Sequence, residues 1–217
     1  MGTTISKEQN SAAAKAAADN LAERFEDAGV TVEVVAHSAS KAFEFVRITC
    51  SPDQWRAVAK YLKNEIGVNH CAMVTGTHYP SGDADRGWEV AYHMHRWPIH
   101  NVEAHTMTVL KGEDLEGNDI PMEFEIFIPL ASGDSPSVPS IQDLWVGADW
   151  NEKETWDLVG IDFEGHNNMH RVLNPHDSPV GFHPLQRQHK IRYHDFNEMY
   201  DDPQGFGRKP ADEGRVK

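Results

Sequence analysis

Apolar residues recur at helical spacing in two stretches of the chain, and each stretch begins and ends with helix signals. In the first, Ser6 and Gln9 form a capping-box pattern, and apolar residues then recur every three or four positions until Gly29. In the second, Ser51 precedes a proline at the first helical position, and one apolar face continues until Gly67. The pattern predicts two amphipathic helices. Their apolar positions are Ala14, Ala18, Leu21, Phe25 and Ala28, followed by Trp55, Val58, Ala59, Leu62 and Ile66.

Six further runs are rich in β-branched and aromatic residues, several of them alternating with polar ones, which is typical of strands. They cover residues 30–34, 43–49, 71–75, 88–95, 105–110 and 122–128. Two runs follow the first helix and four follow the second, so the order is α-β-β-α-β-β-β-β. This order predicts an α+β fold in which both helices pack on one face of a mostly antiparallel sheet. We expect residues 1–130 to form this domain.

The last third of the chain, residues 131–217, has a different character. Residues 131–139 are rich in Ser, Pro, Gly and Asp and are interpreted as a linker that leaves the sheet. Residues 140–143 are expected to cap a short helix, and residues 149–152 a second helix that ends at Gly160. On this second helix Lys153 and Asp157 have the spacing of an i,i+4 ion pair.

From about residue 174 the chain shows no periodicity, and we interpret it as an extended, largely irregular docking tail. Ordering so long a segment costs conformational entropy that burial must offset. The tail is also too apolar for a solvated one, which favours ordering by a partner chain, although folding back on its own sheet is the alternative. Its apolar residues are Phe182, Leu185, Ile191, Tyr193, Phe196, Met199, Tyr200 and Phe206.

Charge and cysteine content exclude several classes of function. With 20 Lys and Arg against 34 Asp and Glu, the formal net charge is −14, which argues against nucleic-acid binding. Cys50 and Cys71 are too few to hold an iron–sulfur cluster or a structural zinc ion alone. No apolar run is long enough to span a membrane, so we expect membrane association only through partners. The carboxylate pairs and cysteines lie in no recognisable catalytic motif, so we expect no independent catalysis.

The 13 histidines raise the alternative of a stand-alone metal-dependent enzyme. His93 and His95 lie two residues apart on the polar face of a predicted strand, and His166 and His170 have the i,i+4 spacing of helical ligands. No glutamate lies between the second pair, as a zinc-peptidase motif requires. Surface histidines that only tune the charge are the simpler interpretation.

Residues 139–173 resemble the signature of the 30-kilodalton subunit family of respiratory complex I, which is also called the C-type subunit of NADH-quinone oxidoreductase or, in photosynthetic relatives, the J subunit. The family pattern runs W-x-E-R-E-x-x-D-x-x-G-I-x-F-x-G-H, and residues 150–166 match it at the same spacing. Residues 181–185 resemble the family's downstream G-x-P-L segment. This sequence departs from the pattern at Lys153 and His170, where the family has Arg, and at Asn167, where it has Pro. Lysine lacks the bidentate fork of arginine, so a carboxylate contact there is expected to be weaker.

The resemblance implies a cofactor-free subunit in the peripheral arm of a proton-translocating quinone oxidoreductase, with iron–sulfur clusters and quinone in partner subunits. It implies packing against the larger quinone-site subunit (the 49-kilodalton or D-type subunit) and other arm subunits, on the cytoplasmic face of a prokaryotic or thylakoid-type membrane. The equivalent subunit of a membrane-bound hydrogenase-type complex is the alternative within the same superfamily. The resemblance and the aromatic content assign these residues to the interface: Trp150, Glu152, Lys153, Glu154, Trp156, Asp157, Gly160, Gly165, His166, Arg171, Phe182, Pro184 and Leu185.

Overall fold

The computed structural model describes residues 5–38, 43–80, 86–98, 115–133 and 135–186. The predicted strand at 105–110 and most of the predicted tail therefore lie outside the described residues. The helices and strands follow one another as α1 (Lys7–Arg24), β1 (Thr31–Ala36), β2 (Glu44–Thr49), α2 (Pro52–Tyr61), β3 (His70–His78), β4 (Trp88–Arg96), β5 (Met122–Leu130), β6 (Ser137–Pro139), α3 (Val146–Val159) and β7 (Asp162–Glu164).

The first two helices form where the pattern predicts them. At the start of α1 the Ser6 hydroxyl accepts a hydrogen bond from the backbone of Gln9, and the Gln9 side chain accepts one from the backbone of Ser6. α2 begins at Pro52 and continues as one π-helical turn, Leu62–Ile66, which stops at Gly67 in a left-handed conformation (φ 83°).

Five strands form one mixed sheet in the order β1-β2-β5-β4-β3. All neighbouring pairs are antiparallel except β2 and β5, which lie side by side in parallel at the centre. The predicted α+β class with a mostly antiparallel sheet is confirmed. Among the described residues, no helix combines the length and apolarity of a membrane span.

Three helices, rather than the two predicted, pack on one face of this sheet. Val74, Tyr92 and Ile126 are aligned across β3, β4 and β5, and all three side chains are buried. α1 packs over β1 and β2, α2 reaches the central strand β5, and α3 covers the edge strand β3. A Cβ atom on Gly147 of α3 would come within 2.8 Å of the Cys71 carbonyl oxygen, so the helix lies close to the strand backbone. The Thr155 hydroxyl of α3 donates to the Val74 carbonyl oxygen of β3 over 3.0 Å.

The segment after β5 differs from the predicted linker and short helix. Residues 137–139 form β6, which pairs in parallel with β7 in a separate two-stranded sheet. Residues 141–145 form a turn, and α3 begins at Val146, three residues before the predicted cap. Trp145 accounts for the early start: its buried indole donates to the Val68 carbonyl oxygen over 3.0 Å and anchors the helix to the main core. Residues 138–163 therefore share the hydrophobic core with the preceding domain.

Candidate docking site

The carboxylate of Asp157 lies at the centre of the predicted interface segment, and it is completely buried. One oxygen accepts from the Arg171 guanidinium over 2.7 Å and from the Asn174 side chain over 3.0 Å. The other oxygen accepts from three consecutive backbone N–H groups, those of Val172, Leu173 and Asn174, over 2.9–3.1 Å. Burial alone would raise the pKa of Asp157, but the hydrogen bonds from Asn174, Leu173 and Arg171 outweigh it and hold the pKa well below its usual range.

Arg171 also binds the chain that follows it. Besides Asp157, its guanidinium donates to the carbonyl oxygens of Phe182 over 3.0 Å and Pro179 over 3.2 Å. It also lies over the ring of Trp156, at 5.6 Å from the centroid. Residues 171–186, which contain neither helix nor strand, are therefore folded against the C-terminal half of α3.

Gly160 ends α3 in a left-handed conformation (φ 87°), where the chain has no room for a side chain. A Cβ atom there would lie 2.6 Å from Nε2 of Gln186 and 2.7 Å from the His183 ring. Gln186 donates to the Val159 carbonyl oxygen over 2.7 Å, and the backbone of Leu185 donates to Leu158. These bonds satisfy the last carbonyl groups of the helix. The predicted tail therefore does not begin at 174, because residues 174–186 are part of the cap of α3.

Glu152 is also completely buried, on the side of α3 that faces the preceding turn. Its carboxylate accepts from the Ser140 hydroxyl over 2.5 Å and from the backbone of Ile141 over 2.8 Å. Burial raises the pKa of Glu152 to about 7, against the opposing effect of these two hydrogen bonds. The carboxylate thus ties the helix to the turn that leads into it.

Lys153 pairs with Asp149, over 2.9 Å, and not with Asp157 as the spacing suggested. The predicted pair is wrong because Asp157 is already enclosed by donors from residues 171–174. Asp149 also lies 3.3 Å from His166, whose side chain is buried. Nδ1 of His166 accepts from the backbone of Asn168, so Nε2 carries the proton and faces Asp149.

The other predicted interface residues lie at the surface of this segment to different degrees. Trp150 and Leu185 are exposed, by 55% and 58%, whereas Glu154 and Trp156 are half-buried. Phe182 and Pro184 are also half-buried, and Gly165 is exposed in a left-handed conformation. Whether these residues contact a partner stays a prediction. Trp150 and Asp157, two helical turns apart, lie on the same side of α3; residues 171–174 cover Asp157 there, whereas Trp150 remains exposed.

The histidines singled out in the sequence do not converge on one site. His93 lies on the sheet face opposite the helices, with its Nε2 atom 2.6 Å from Glu123. His95 is its neighbour on the same face, with ring centroids 4.6 Å apart. His166 packs instead against α3, and His170 is exposed. Sequence spacing found the two histidines of β4 but missed Glu123, which lies nearly thirty residues along the chain and faces them only through strand pairing.

Comparison with known proteins places this architecture in a family. Residues 48–195 match the model of the respiratory-chain NADH dehydrogenase 30 kDa subunit. The chain belongs to this family. The predicted resemblance is therefore confirmed, and the matched residues include the helix α3 with its buried Asp157.

Related sequences carry consistent names. The C subunit of NADH-quinone oxidoreductase from Chloroherpeton thalassium is 30% identical over 152 residues, covering 68% of this chain and 52% of that protein. The C subunit from Laribacter hongkongensis is 29% identical over 156 residues, covering 72% and 69%. A C/D subunit from Gluconacetobacter diazotrophicus is 48% identical over 65 residues, which are 30% of this chain and 10% of that protein. The chain spans about half the length of the first of these relatives.

Two solved structures share the fold of this family member. The trypsin-resistant fragment of Nqo5 superposes with a TM-score of 0.50 at 18% identity, covering 69% of this chain and 97% of the fragment. A chain of the membrane-bound sulfane sulfur reductase, an archaeal respiratory membrane complex, superposes with a TM-score of 0.56 at 15% identity. This second match covers 92% of this chain and 98% of the other. At such identities the likeness establishes the fold alone.

Asp157→Asn is expected to lower the free energy of unfolding by about 3–5 kcal/mol, because the amide leaves the Arg171 charge without its buried partner. Since the folded-state pKa of Asp157 lies below its unfolded value of 3.8, this stability is present at neutral pH and lost as the pH falls below about 4. Urea unfolding of the full chain measures both effects. Asp177→Asn, an exposed change in the same segment, is the control and should shift stability by less than about 0.5 kcal/mol. Equal losses in the two variants would contradict the role of Asp157.

Glu152→Gln is expected to reduce the loss of stability that the chain suffers between pH 5 and pH 8. The folded-state pKa of Glu152, about 7, lies above its ordinary value of 4.5, so the folded state binds more protons in this window and stability falls as the pH rises. Removing the ionisable group should make the free energy of unfolding less dependent on pH. The decrease in stability across this window should be smaller than in the wild type by about 1–3 kcal/mol. Glu154→Gln changes the same residue type on the same helix without touching Ser140 or Ile141. A parallel response of both variants would show that Glu152 is not the titrating group.

Proposed function

We propose that this chain is a structural subunit in the peripheral arm of a complex I-like quinone oxidoreductase. In this role it packs against the larger, D-type quinone-site subunit and supplies no redox centre, while iron–sulfur clusters and quinone are held by its neighbours. It reaches the membrane through the complex, on the cytoplasmic face. Membership of the respiratory-chain NADH dehydrogenase family supports this assignment.

The observation that carries the proposal is the distribution of exposed apolar side chains. Large apolar residues are exposed at eight described positions, and five of these lie between Val146 and Leu185. Exposed apolar residues are ordinary when scattered, so it is their concentration in one segment that supports a surface buried by a partner. The five are Val146, Trp150, Leu173, Val180 and Leu185.

Trp150 has the properties of an interface anchor. Tryptophan is enriched among the residues whose truncation weakens protein association most. Trp150 is 55% exposed, and it lies on a helix whose position is fixed by the hydrogen bonds of Glu152 and Asp157. A rigid support reduces the entropy lost on binding.

The nature of the partner is supported by the names of relatives. The Gluconacetobacter protein joins C and D in its name, which fits a C-type subunit that works beside a D-type one. The relatives from Chloroherpeton and Laribacter are named as quinone oxidoreductase subunits, which favours a quinone-reducing complex over the hydrogenase-type alternative. Isolation of the native complex and identification of its chains would distinguish the two.

Trp150→Ala is expected to reduce co-purification of the chain with the D-type quinone-site subunit at least about tenfold, since truncating a central interface tryptophan costs roughly 2 kcal/mol or more. Its thermal unfolding temperature should stay near that of the wild type, because the indole is mostly in water in the isolated chain. Val34→Ala, which truncates an exposed apolar side chain on β1 at the opposite edge of the sheet from α3, is the control and should leave assembly intact. If Val34→Ala impairs assembly as strongly, or Trp150→Ala does not impair it, the proposed surface is wrong.

Truncation after Gln186 is expected to abolish co-purification while leaving the thermal unfolding temperature nearly unchanged. The removed residues include the aromatic positions Tyr193, Phe196 and Tyr200, while the bonds to the end of α3 that the structure describes, as far as Gln186, are kept. Truncation before Asn174 is the comparison: it also removes the cap of α3, so it should lower the unfolding temperature clearly. Retained assembly after the first truncation would show that residues 187–217 are not the docking segment.

A further inference from the structure

A cluster of metal-ligating side chains lies on the sheet face opposite the three helices. His93 and His95 point to this face from β4, because residues two apart on a strand share a face. Glu123 of β5 is paired directly opposite His95. One potential ligand atom from each of the three residues lies within 4.8 Å of the others.

The donor set has the composition of a transition-metal site. Two imidazoles and one carboxylate form the ligand set of many zinc proteins, in which the fourth position is open to water or another ligand. The Nε2 atom of His93 already lies 2.6 Å from a Glu123 oxygen, and the rings of His93 and His95 are 4.6 Å apart. Small side-chain rotations bring such atoms to the roughly 2.0–2.2 Å bond lengths of zinc.

An unsatisfied atom points to the same site. Nδ1 of His95 is buried and has no hydrogen-bond partner in the part of the chain that the structure describes. A buried polar atom without a partner costs free energy, so such atoms are rare unless a ligand completes them. His95 therefore offers ligand capacity that the fold itself does not use.

A fourth side chain holds the carboxylate in place. Nε2 of His37, just beyond β1, lies 2.8 Å from the second oxygen of Glu123. The first oxygen is the one that faces His93. Partners of this kind orient ligating carboxylates and raise metal affinity. All three candidate ligands lie on strands hydrogen-bonded within the sheet, which keeps their backbones fixed.

We propose that His93, His95 and Glu123 bind a divalent transition-metal ion, with zinc as the occupant. Zinc transfers no electrons, so the site adds a metal to a subunit proposed to lack a redox centre without changing its structural role. The three ligands are only partly buried, and the Trp97 ring stacks on His95 with ring centroids 5.3 Å apart. The remaining coordination position is therefore open to water or to a side chain of a neighbouring subunit.

Zinc titration of the full chain, prepared without a histidine tag and stripped with a chelator, tests the proposal. Isothermal calorimetry should give one zinc ion per chain, and Co²⁺ should give the visible absorption of a four-coordinate site. His93→Gln, His95→Gln and Glu123→Gln should each weaken zinc binding at least about tenfold, and His37→Gln should weaken it less. His176→Gln removes an exposed histidine distant in sequence from the cluster and should leave binding unchanged.

A second measurement on the unmodified chain avoids any dependence on variants that fold poorly. Zinc should protect His93 and His95 from modification by diethyl pyrocarbonate, read by mass spectrometry, while His176 remains reactive. The proposal is overturned if the wild type binds no zinc. It is also overturned if His176→Gln weakens binding as much as His93→Gln, or if zinc protects His176 and not the cluster. None of these results depends on assembly with other subunits, so failure here leaves the proposed function standing.

Discussion

The buried carboxylate of Asp157 determines the path of the chain beyond α3. A carboxylate removed from water is tolerated only where donors replace its hydration, and here Arg171, Asn174 and two further backbone N–H groups do so. Because these donors come from one short stretch, that stretch has to turn back onto the helix. Arg171 then holds the chain at Pro179 and Phe182. A single charge thus organises residues 171–186, which have no regular secondary structure to stabilise them.

A second buried carboxylate, that of Glu152, also fixes α3. Glu152 and Asp157 bond inward, to the turn before the helix and to the segment after it, and so both ends of α3 are fixed by carboxylates within the helix. Trp150 remains on the outside of this fixed element. A motif dense in charge and tryptophan is therefore held in place within the chain by its carboxylates, while its tryptophan at position 150 stays exposed. Removing one partner of such a buried pair leaves the other charge without compensation, which makes the geometry costly to disrupt.

How much of this was predictable depends on which physical signal each residue carries. The helices α1 and α2 and the strands β4 and β5 follow from caps and alternation, which are local signals. The inward bonds of Glu152 and Asp157 were not predictable from spacing. The sequence pattern of a charged helix residue is the same whether its partner is solvent, another chain or a distant backbone group. Trp145 illustrates the same limit. Its bond to Val68 joins two residues that are 77 positions apart in the sequence, so no local pattern indicates it.

The complete alternation of β4 gives the two sheet faces independent chemistry. Tyr92 and Met94 belong to the core, while His93 and His95 project to the other side, so substitutions at the histidines leave the core packing intact. A metal ion bound there would bridge β4 and β5, which are already joined along their whole length by backbone hydrogen bonds. Because strand pairing already holds the three ligands in register, little further ordering would accompany metal binding. An ion that binds the folded chain and not the unfolded one would stabilise the fold according to its affinity and concentration, so the site would add to the stability of the sheet even with one coordination position left open.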